Sequence, residues 1–415
     1  MIPLHRQLIA LLLCAAIIRG AVLWFGAADL NADPDSYAII ATTLAKTGIF
    51  GFEGEGGASP TAFRPPLYPW LLSWLVFDGQ VARAAVAGLH LLLGCGTVAL
   101  TFLIGGKLNL RFAWVAGVAI AVDPILLRQT QLVMTETLAT FLGVLAWWLW
   151  LVIWPSVDAC RVKQRTVTQW FALTCFSLTL GISILARPTA APWALLCALI
   201  ALFVGCDCWK RRVNDCLLMC LGVLVCVVPW TLRNNSAFGK PIWATTHGGY
   251  TLLLANNPPL YRHFAAHGPS RAWEAEEFQD AWAARISLEV PPLNEVTEDQ
   301  LAYRAARSTI ARSPHVFALS CIYRIGWLWA LWPNNGSIGA SEMLIGVWYA
   351  VIFLFAYIGL QHVRHSLSYR SWLVGLALVF SLTAIHAIYW SNMRMRAPAM
   401  PCVILFAVAG KKREV

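Results

Sequence analysis

Apolar stretches of about twenty residues recur along almost the whole chain, separated by short polar breaks, and this pattern restricts the fold more than any motif does. About 20 mostly apolar helical residues cross a hydrocarbon core, because lipid offers no partner to an open backbone N–H or C=O. Of 415 residues, 59% are hydrophobic and 13% charged, and the mean hydropathy is +0.62. A soluble chain could not hide so much apolar surface, so lipid is the solvent. The expected fold class is an all-α integral membrane protein.

The candidate spans are residues 8–25, 83–104, 112–128, 133–154, 169–186, 189–205, 214–231, 343–360, 371–390 and 399–410. They describe a bundle of about ten transmembrane helices, with ten to twelve admitted. Basic residues gather in alternate loops: Lys107 and Arg111; Arg161, Lys163 and Arg165; Lys210, Arg211 and Arg212; Arg364 and Arg370; Lys411, Lys412 and Arg413. The positive-inside rule puts these loops and both termini on the cytoplasmic side. The net charge of +10 is then a topology signal and does not imply nucleic acid. Counting residues 315–332 as a span would break the alternation, so this run is expected as an interfacial helix with Trp327, Trp329 and Trp332 at headgroup level and Arg324 snorkelling. The first span resembles a signal peptide but is expected to remain as an anchor.

Three regions follow: an N-terminal transmembrane region (1–232) containing a long external loop (26–82), an external cap with the interfacial helix (233–342), and a C-terminal transmembrane region (343–415). Interfacial helices are expected in the first loop and a small helical cap from the second, where Trp273 to Phe278 and Glu298 to Arg312 are helix-compatible around a Pro291-Pro292 break. None of the twelve cysteines lies in the two long polar loops, residues 26–82 and 233–314. Cys206, Cys208, Cys216 and Cys220 lack both the paired C-x-x-C rhythm of a zinc site and partner histidines.

The first loop opens Asn31-Ala32-Asp33-Pro34-Asp35-Ser36-Tyr37, two carboxylates at a helix start beside the membrane. The bland reading is a cap made by Asp35 or Ser36; the chemical one is a general base. Further on, Arg64-Pro65-Pro66-Leu67-Tyr68-Pro69-Trp70 fixes an arginine in a proline-stiffened segment. That arginine serves either as an interfacial anchor or as a clamp for a lipid phosphate. Glu136, Arg187, Arg233, Arg394 and Arg396 stand at span ends on the same outer side, where the positive-inside rule disfavours arginine. Singly each reads as a cap or snorkelling residue; together, opposite Asp33 and Asp35, they point to an anionic substrate. Arg19 and His386 read as interior polar residues.

Taken in order, Asp33-Pro34-Asp35-Ser36-Tyr37, Arg64 to Trp70, Thr135-Glu136-Thr137-Leu138, Pro229 to Asn234 and Arg394-Met395-Arg396-Ala397-Pro398 resemble the membrane glycosyltransferases of GT-C fold. The likeness is to the bacterial branch related to aminoarabinose transferases and protein O-mannosyltransferases. Gly248-Gly249-Tyr250-Thr251-Leu252 and Asn256-Asn257-Pro258 are similar to a stretch common in that branch. The resemblance implies transfer of a sugar from a polyprenyl phosphate to an acceptor hydroxyl (on lipid, glycan or protein) at the outer face of a bacterial inner membrane, with Asp33 as base and Arg64 on the donor phosphate. Arg187, Arg233, Arg394 and Arg396 would add to phosphate binding, and Tyr37, Tyr68 and Glu136 would support the site. The chain departs in carrying Pro34 where relatives place an acidic residue, which leaves the roles of Asp33 and Asp35 to be divided. No cofactor is required; a divalent metal on the two aspartates stays open, although His247 and His263 show no ligand spacing. The rival classes are a flippase for lipid-linked saccharides, which calls for charge at mid-membrane depth, and an assembly subunit, which would tolerate change at Asp33.

Overall fold

The computed structural model describes residues 3–154, 165–204, 208–268, 273–291, 293–333, 339–364 and 369–410. Cys160, Arg161, Lys163, Cys206, Pro292, Lys411, Lys412, Arg413 and the side chain of Arg370 lie outside the described residues. Helix α1 (Leu4–Phe25) leads through a 3₁₀ turn (Ala27–Asn31) into the first loop. The loop holds α2 (Tyr37–Thr47), the hairpin β1 (Gly51–Gly54) with β2 (Gly57–Pro60), α3 (Leu67–Ser73) and the hairpin β3 (Val76–Phe77) with β4 (Gln80–Val81), both hairpins antiparallel. The bundle continues with α4 (Arg83–Lys107), α5 (Ala113–Val122), α6 (Pro124–Thr130), α7 (Glu136–Ile153), α8 (Val167–Ala186), α9 (Ala191–Val204) and α10 (Trp209–Phe238). The cap is α11 (Gly248–Ala255), α12 (Pro258–His267), α13 (Glu276–Ser287), α14 (Glu295–Arg312) and α15 (Pro314–Leu328). The last helices are α16 (Ala340–Val363), α17 (Tyr369–Ile388) and α18 (Met400–Ala407), with a 3₁₀ segment Met393–Ala399 before α18.

Among the described residues, seven helices are long and apolar enough to cross a membrane: α1, α4, α7, α8, α10, α16 and residues 371–388 of α17. Leu13, Ile17 and Trp24 of α1, Leu217, Leu221 and Leu224 of α10, and Leu344, Val347 and Leu354 of α16 are exposed, as suits helices solvated by lipid. Helix α7 is the most enclosed, packed by α4, α8, α17 and the Met393–Ala399 segment. The other three expected spans fall on shorter pieces. Residues 189–205 give the fourteen-residue α9 behind a 3₁₀ turn, and residues 399–410 give the eight-residue α18.

Residues 112–128 divide between α5 and α6, for a reason visible in the sequence. Pro124 has no N–H to give the carbonyl of Ile120, four residues back, and Asp123 instead accepts from Leu126 N at 3.0 Å. Arg19 of α1 supplies the missing donor, Nη2 to Ile120 O at 3.1 Å and Nη1 to Thr130 Oγ1 at 2.7 Å. A Cβ at Gly94 would stand 2.8 Å from the Arg19 side chain, so glycine is what lets the guanidinium pass. Arg324 corrects an expectation. It does not snorkel but is fully buried, with Nε on Ala387 O at 2.7 Å and Nη1 on Ala255 O at 2.6 Å, because α17 and the end of α11 close over this side of α15.

Candidate functional site

The first loop, the cap and one end of the bundle meet at Asp33. The turn before α2 is tight: Ser36 sits in the left-handed region at φ 62 and donates its N–H to Asp33 O at 3.1 Å. The helix cap expected from Asp35 or Ser36 falls to Asp33, whose Oδ2 accepts from Ile39 N at 3.0 Å. The other carboxylate oxygen, Asp33 Oδ1, is buried without a hydrogen-bond partner.

Arg64 closes on the same turn. Its Nε donates to Asp35 O and its Nη2 to Asp35 Oδ1, both at 2.8 Å, with the two side chains 14% and 22% exposed. The guanidinium lies 4.4 Å from the centre of the Phe63 ring and 5.7 Å from that of Tyr37. Asp35 is thereby an ion-pair partner, while Asp33 keeps one oxygen buried and unbonded. The segment leading to Arg64 is pinned by the cap: Glu295 accepts from Thr61 Oγ1 at 2.5 Å and from Ala62 N at 2.8 Å, and Thr246 N donates to Ala62 O at 2.9 Å.

Below this turn Tyr37 and Tyr68 meet edge to face, 5.3 Å between centres. Burial pushes the Tyr37 phenol up to about 12 and the Tyr68 phenol well above the ordinary value, so both are neutral donors. Tyr68 Oη is 2.8 Å from His90 Nε2, and His90 Nδ1 is 2.8 Å from Thr130 O. A carbonyl only accepts, so Nδ1 carries the proton and the neutral ring receives the tyrosine hydrogen at Nε2. Next to the tyrosines lies Glu136, 1% exposed, with Arg187 Nη1 at 3.1 Å and Arg394 Nε at 3.8 Å from its Oε1. Its Oε2 has no hydrogen-bond partner. Tyr37 and Tyr68 feel the charges of both the Asp33–Asp35–Arg64 turn and the Glu136 cluster, which makes the two groups electrostatic neighbours.

Two expected arginines are held apart. Arg233 donates to Thr61 O at 2.6 Å and Phe50 O at 2.5 Å and lies against Trp230, so it braces the first loop from behind. Arg396 is fully buried, on Leu328 O at 3.0 Å, on Ala330 O at 2.6 Å and over the Tyr349 ring at 4.3 Å. His386 is half satisfied, with Nδ1 on Trp390 O at 3.0 Å and Nε2 buried without a partner. Among the described residues no three His, Cys, Asp or Glu side chains come together as a metal site.

Sequence reasoning missed His90, Glu295 and a cavity of about 380 Å³ on the other side of Arg394. Pro124, Gln129, Arg128, Trp273, Trp327, Trp332, Trp390, Ser391 and Asn392 contribute to its wall. The dense tryptophan after residue 270 was a signal for it, but nothing in the sequence brings α6 to that wall.

No family model and no curated protein matches the chain. Solved structures do. The archaeal oligosaccharyltransferase AglB from Archaeoglobus fulgidus, in complex with an inhibitory peptide and a dolichol-phosphate, matches 97% of this chain and 50% of its own at TM-score 0.55 and 14% identity. The Archaeoglobus fulgidus oligosaccharyltransferase tethered with an acceptor peptide containing the NVT sequon matches 97% and 49% at TM-score 0.54 and 14% identity. ArnT from Cupriavidus metallidurans bound to undecaprenyl phosphate is similar over 97% of this chain and 77% of its own, at 16% identity and a TM-score of 0.41, too low to establish a shared fold. The chain spans about half the length of the archaeal proteins. It shares the fold of these archaeal oligosaccharyltransferases.

Proposed function

We propose that this integral membrane protein transfers a sugar from a polyprenyl-phosphate donor to an acceptor hydroxyl, at the end of the bundle that carries Asp33 and faces the periplasm. In this reading it sits in a bacterial inner membrane with both chain ends cytoplasmic. The observation that carries it is Asp33: one oxygen anchored on the α2 backbone, the other buried and unbonded, beside two neutral phenols and a carboxylate flanked by arginines. The archaeal neighbours, whose fold the chain shares, act in oligosaccharyl transfer.

The step needs one base. Asp33 Oδ1 takes the acceptor proton as the hydroxyl oxygen bonds to the anomeric carbon, and the bond from that carbon to the phosphate oxygen breaks. Polyprenyl phosphate leaves with the bonding electron pair, and its added charge requires stabilisation rather than a proton. Arg394 is placed for this, being partly exposed toward the cavity while its Nε faces Glu136, with Arg187 on the same carboxylate. Arg64 holds Asp35 and so fixes the turn that presents Asp33; any phosphate contact it makes is additional. A single displacement inverts the anomeric centre.

The test is sugar release from a panel of polyprenyl-phosphate sugars by wild type and by Asp33→Asn, Asp35→Asn and Arg394→Ala in liposomes. Asp33→Asn should lose turnover by about 10²-fold or more while still binding donor. Loss confined to Asp35→Asn would move the base two residues on. Wild type that carries lipid-linked sugars across the bilayer and never releases one would replace the transferase by the flippase.

A further inference from the structure

The cavity beside Arg394 holds more polar groups than the proposed reaction uses. Gln129 Oε1, Ser391 Oγ and Asn392 Oδ1 are buried on its wall without a hydrogen-bond partner, and Gln129 and Ser391 are 3% and 1% exposed. A buried polar group left unbonded is costly, so three around one space mark a place where a polar ligand supplies the bonds. All three are neutral amides or a hydroxyl, groups that pair with ligand hydroxyls, which both give and accept a hydrogen.

The remaining wall is aromatic. Trp390 stands 5.9 Å from Trp273 and 6.2 Å from Trp327, centre to centre, and Trp332 completes that side. Indole faces suit the C–H faces of a pyranose, and a space of about 380 Å³ lies within the range of small-molecule sites. Two cations line the same space: Arg394, which faces Glu136, and Arg128, which is paired with Asp29 at the start of the first loop. A ligand with a phosphate against Arg394 and a polyhydroxylated ring against the tryptophans fills the whole description; a bare lipid phosphate leaves the neutral groups unmet.

We infer that Gln129, Ser391 and Asn392, backed by Trp273, Trp327 and Trp390, read the hydroxyls of the donor sugar and set which sugar is transferred. This rests on the donor chemistry proposed above. Gln129 lies on α6, which starts at the Asp123-Pro124 break, packs on the segment after α17 and shares the cavity wall with Ser391 and Asn392.

The test is equilibrium binding, by full-length protein in detergent, of a panel of polyprenyl-phosphate hexoses and pentoses and of sugar-free polyprenyl phosphate. Gln129→Leu and Asn392→Leu should weaken the best sugar-bearing ligand about tenfold each, the cost of an unmet hydroxyl, and leave the sugar-free lipid unchanged. The sugar-free lipid also reports that each variant is folded, and Ser391→Ala gives a third, smaller change in the same direction. Equal weakening of both ligands, or of neither, would overturn the sugar-reading role while wild-type transfer stands. A wild type that binds no lipid of either kind would overturn this role and the donor chemistry together.

Discussion

At residue 247 an imidazole packs its ring against Phe63, 4.6 Å between centres, at the seam between cap and first loop. Burial first, and the nearby Arg64 charge second, lower its pKa from 6.5 to about 3. The unfolded chain therefore takes a proton below 6.5 that the folded chain refuses, so this contribution is full above 6.5 and falls as pH drops toward 3. Asp299 runs the other way. Burial raises it from 3.8 to about 6 although Gly249 N donates to it at 2.7 Å, so the folded chain keeps a proton the unfolded chain loses, and stability is lost as pH rises through 6. Each slope is at most about 1.4 kcal/mol per pH unit. Amide exchange in α11 should thus change little in the wild type between pH 6.5 and 4. Acidification should protect α11 in His247→Gln and expose it in Asp299→Asn; an imidazole titrating near 6.5 in the folded protein would refute the assignment. Asp33, Arg64 and Glu136 could be singled out in the sequence because charge at the edge of an apolar run is costly without a purpose. The pairing of Arg64 with Asp35 could not, since it joins residues 29 positions apart through a fold.

Two element boundaries carry local signals that the expected elements passed over. Pro124 and Asp123 end α5 and start α6 inside the run 112–128 expected as one span, and Asn257 caps α12 through Leu260 N at 2.8 Å ahead of Pro258. The two hairpins of the first loop were not legible, because strands of two to four residues are too short to carry an alternating pattern. The Gly248-Gly249 pair has a packing reason: helices α11 and α14 touch there, and a Cβ at Gly249 would lie 2.1 Å from Asp299 O. Gly249→Ala must push backbone against backbone and should cost about 1–3 kcal/mol in thermal or denaturant unfolding of the cap. Gly88→Ala on α4, with nothing within 4 Å of the new Cβ, should be neutral or stabilising by up to about 1 kcal/mol. Equal effects at the two positions would show that α11 does not sit on α14 as described.

For the whole molecule, the alternation of basic loops and the siting of the cap make a single expectation about sidedness. Leu288, 81% exposed after α13, belongs to the cap, while the exposed Cys208 precedes the basic start of α10. In sealed right-side-out vesicles a membrane-impermeant thiol reagent should modify Leu288→Cys at once and Cys208 only after permeabilisation. Labelling in the reverse order would place Asp33 on the cytoplasmic side and remove the periplasmic reading. The cap's position also ties the halves together, since Glu295, Thr246 and Arg233 all bond to the short stretch from Phe50 to Ala62. The sequence alone determined the solvent, the helical class and the proline break inside residues 112–128, because hydropathy and proline act locally along the chain. Tertiary structure alone decided that Asp35 pairs with Arg64 while Asp33 buries an unbonded oxygen, which arginines face Glu136 rather than carbonyls, and that α6 meets Trp390 across a cavity, because these depend on contacts between residues far apart in the chain.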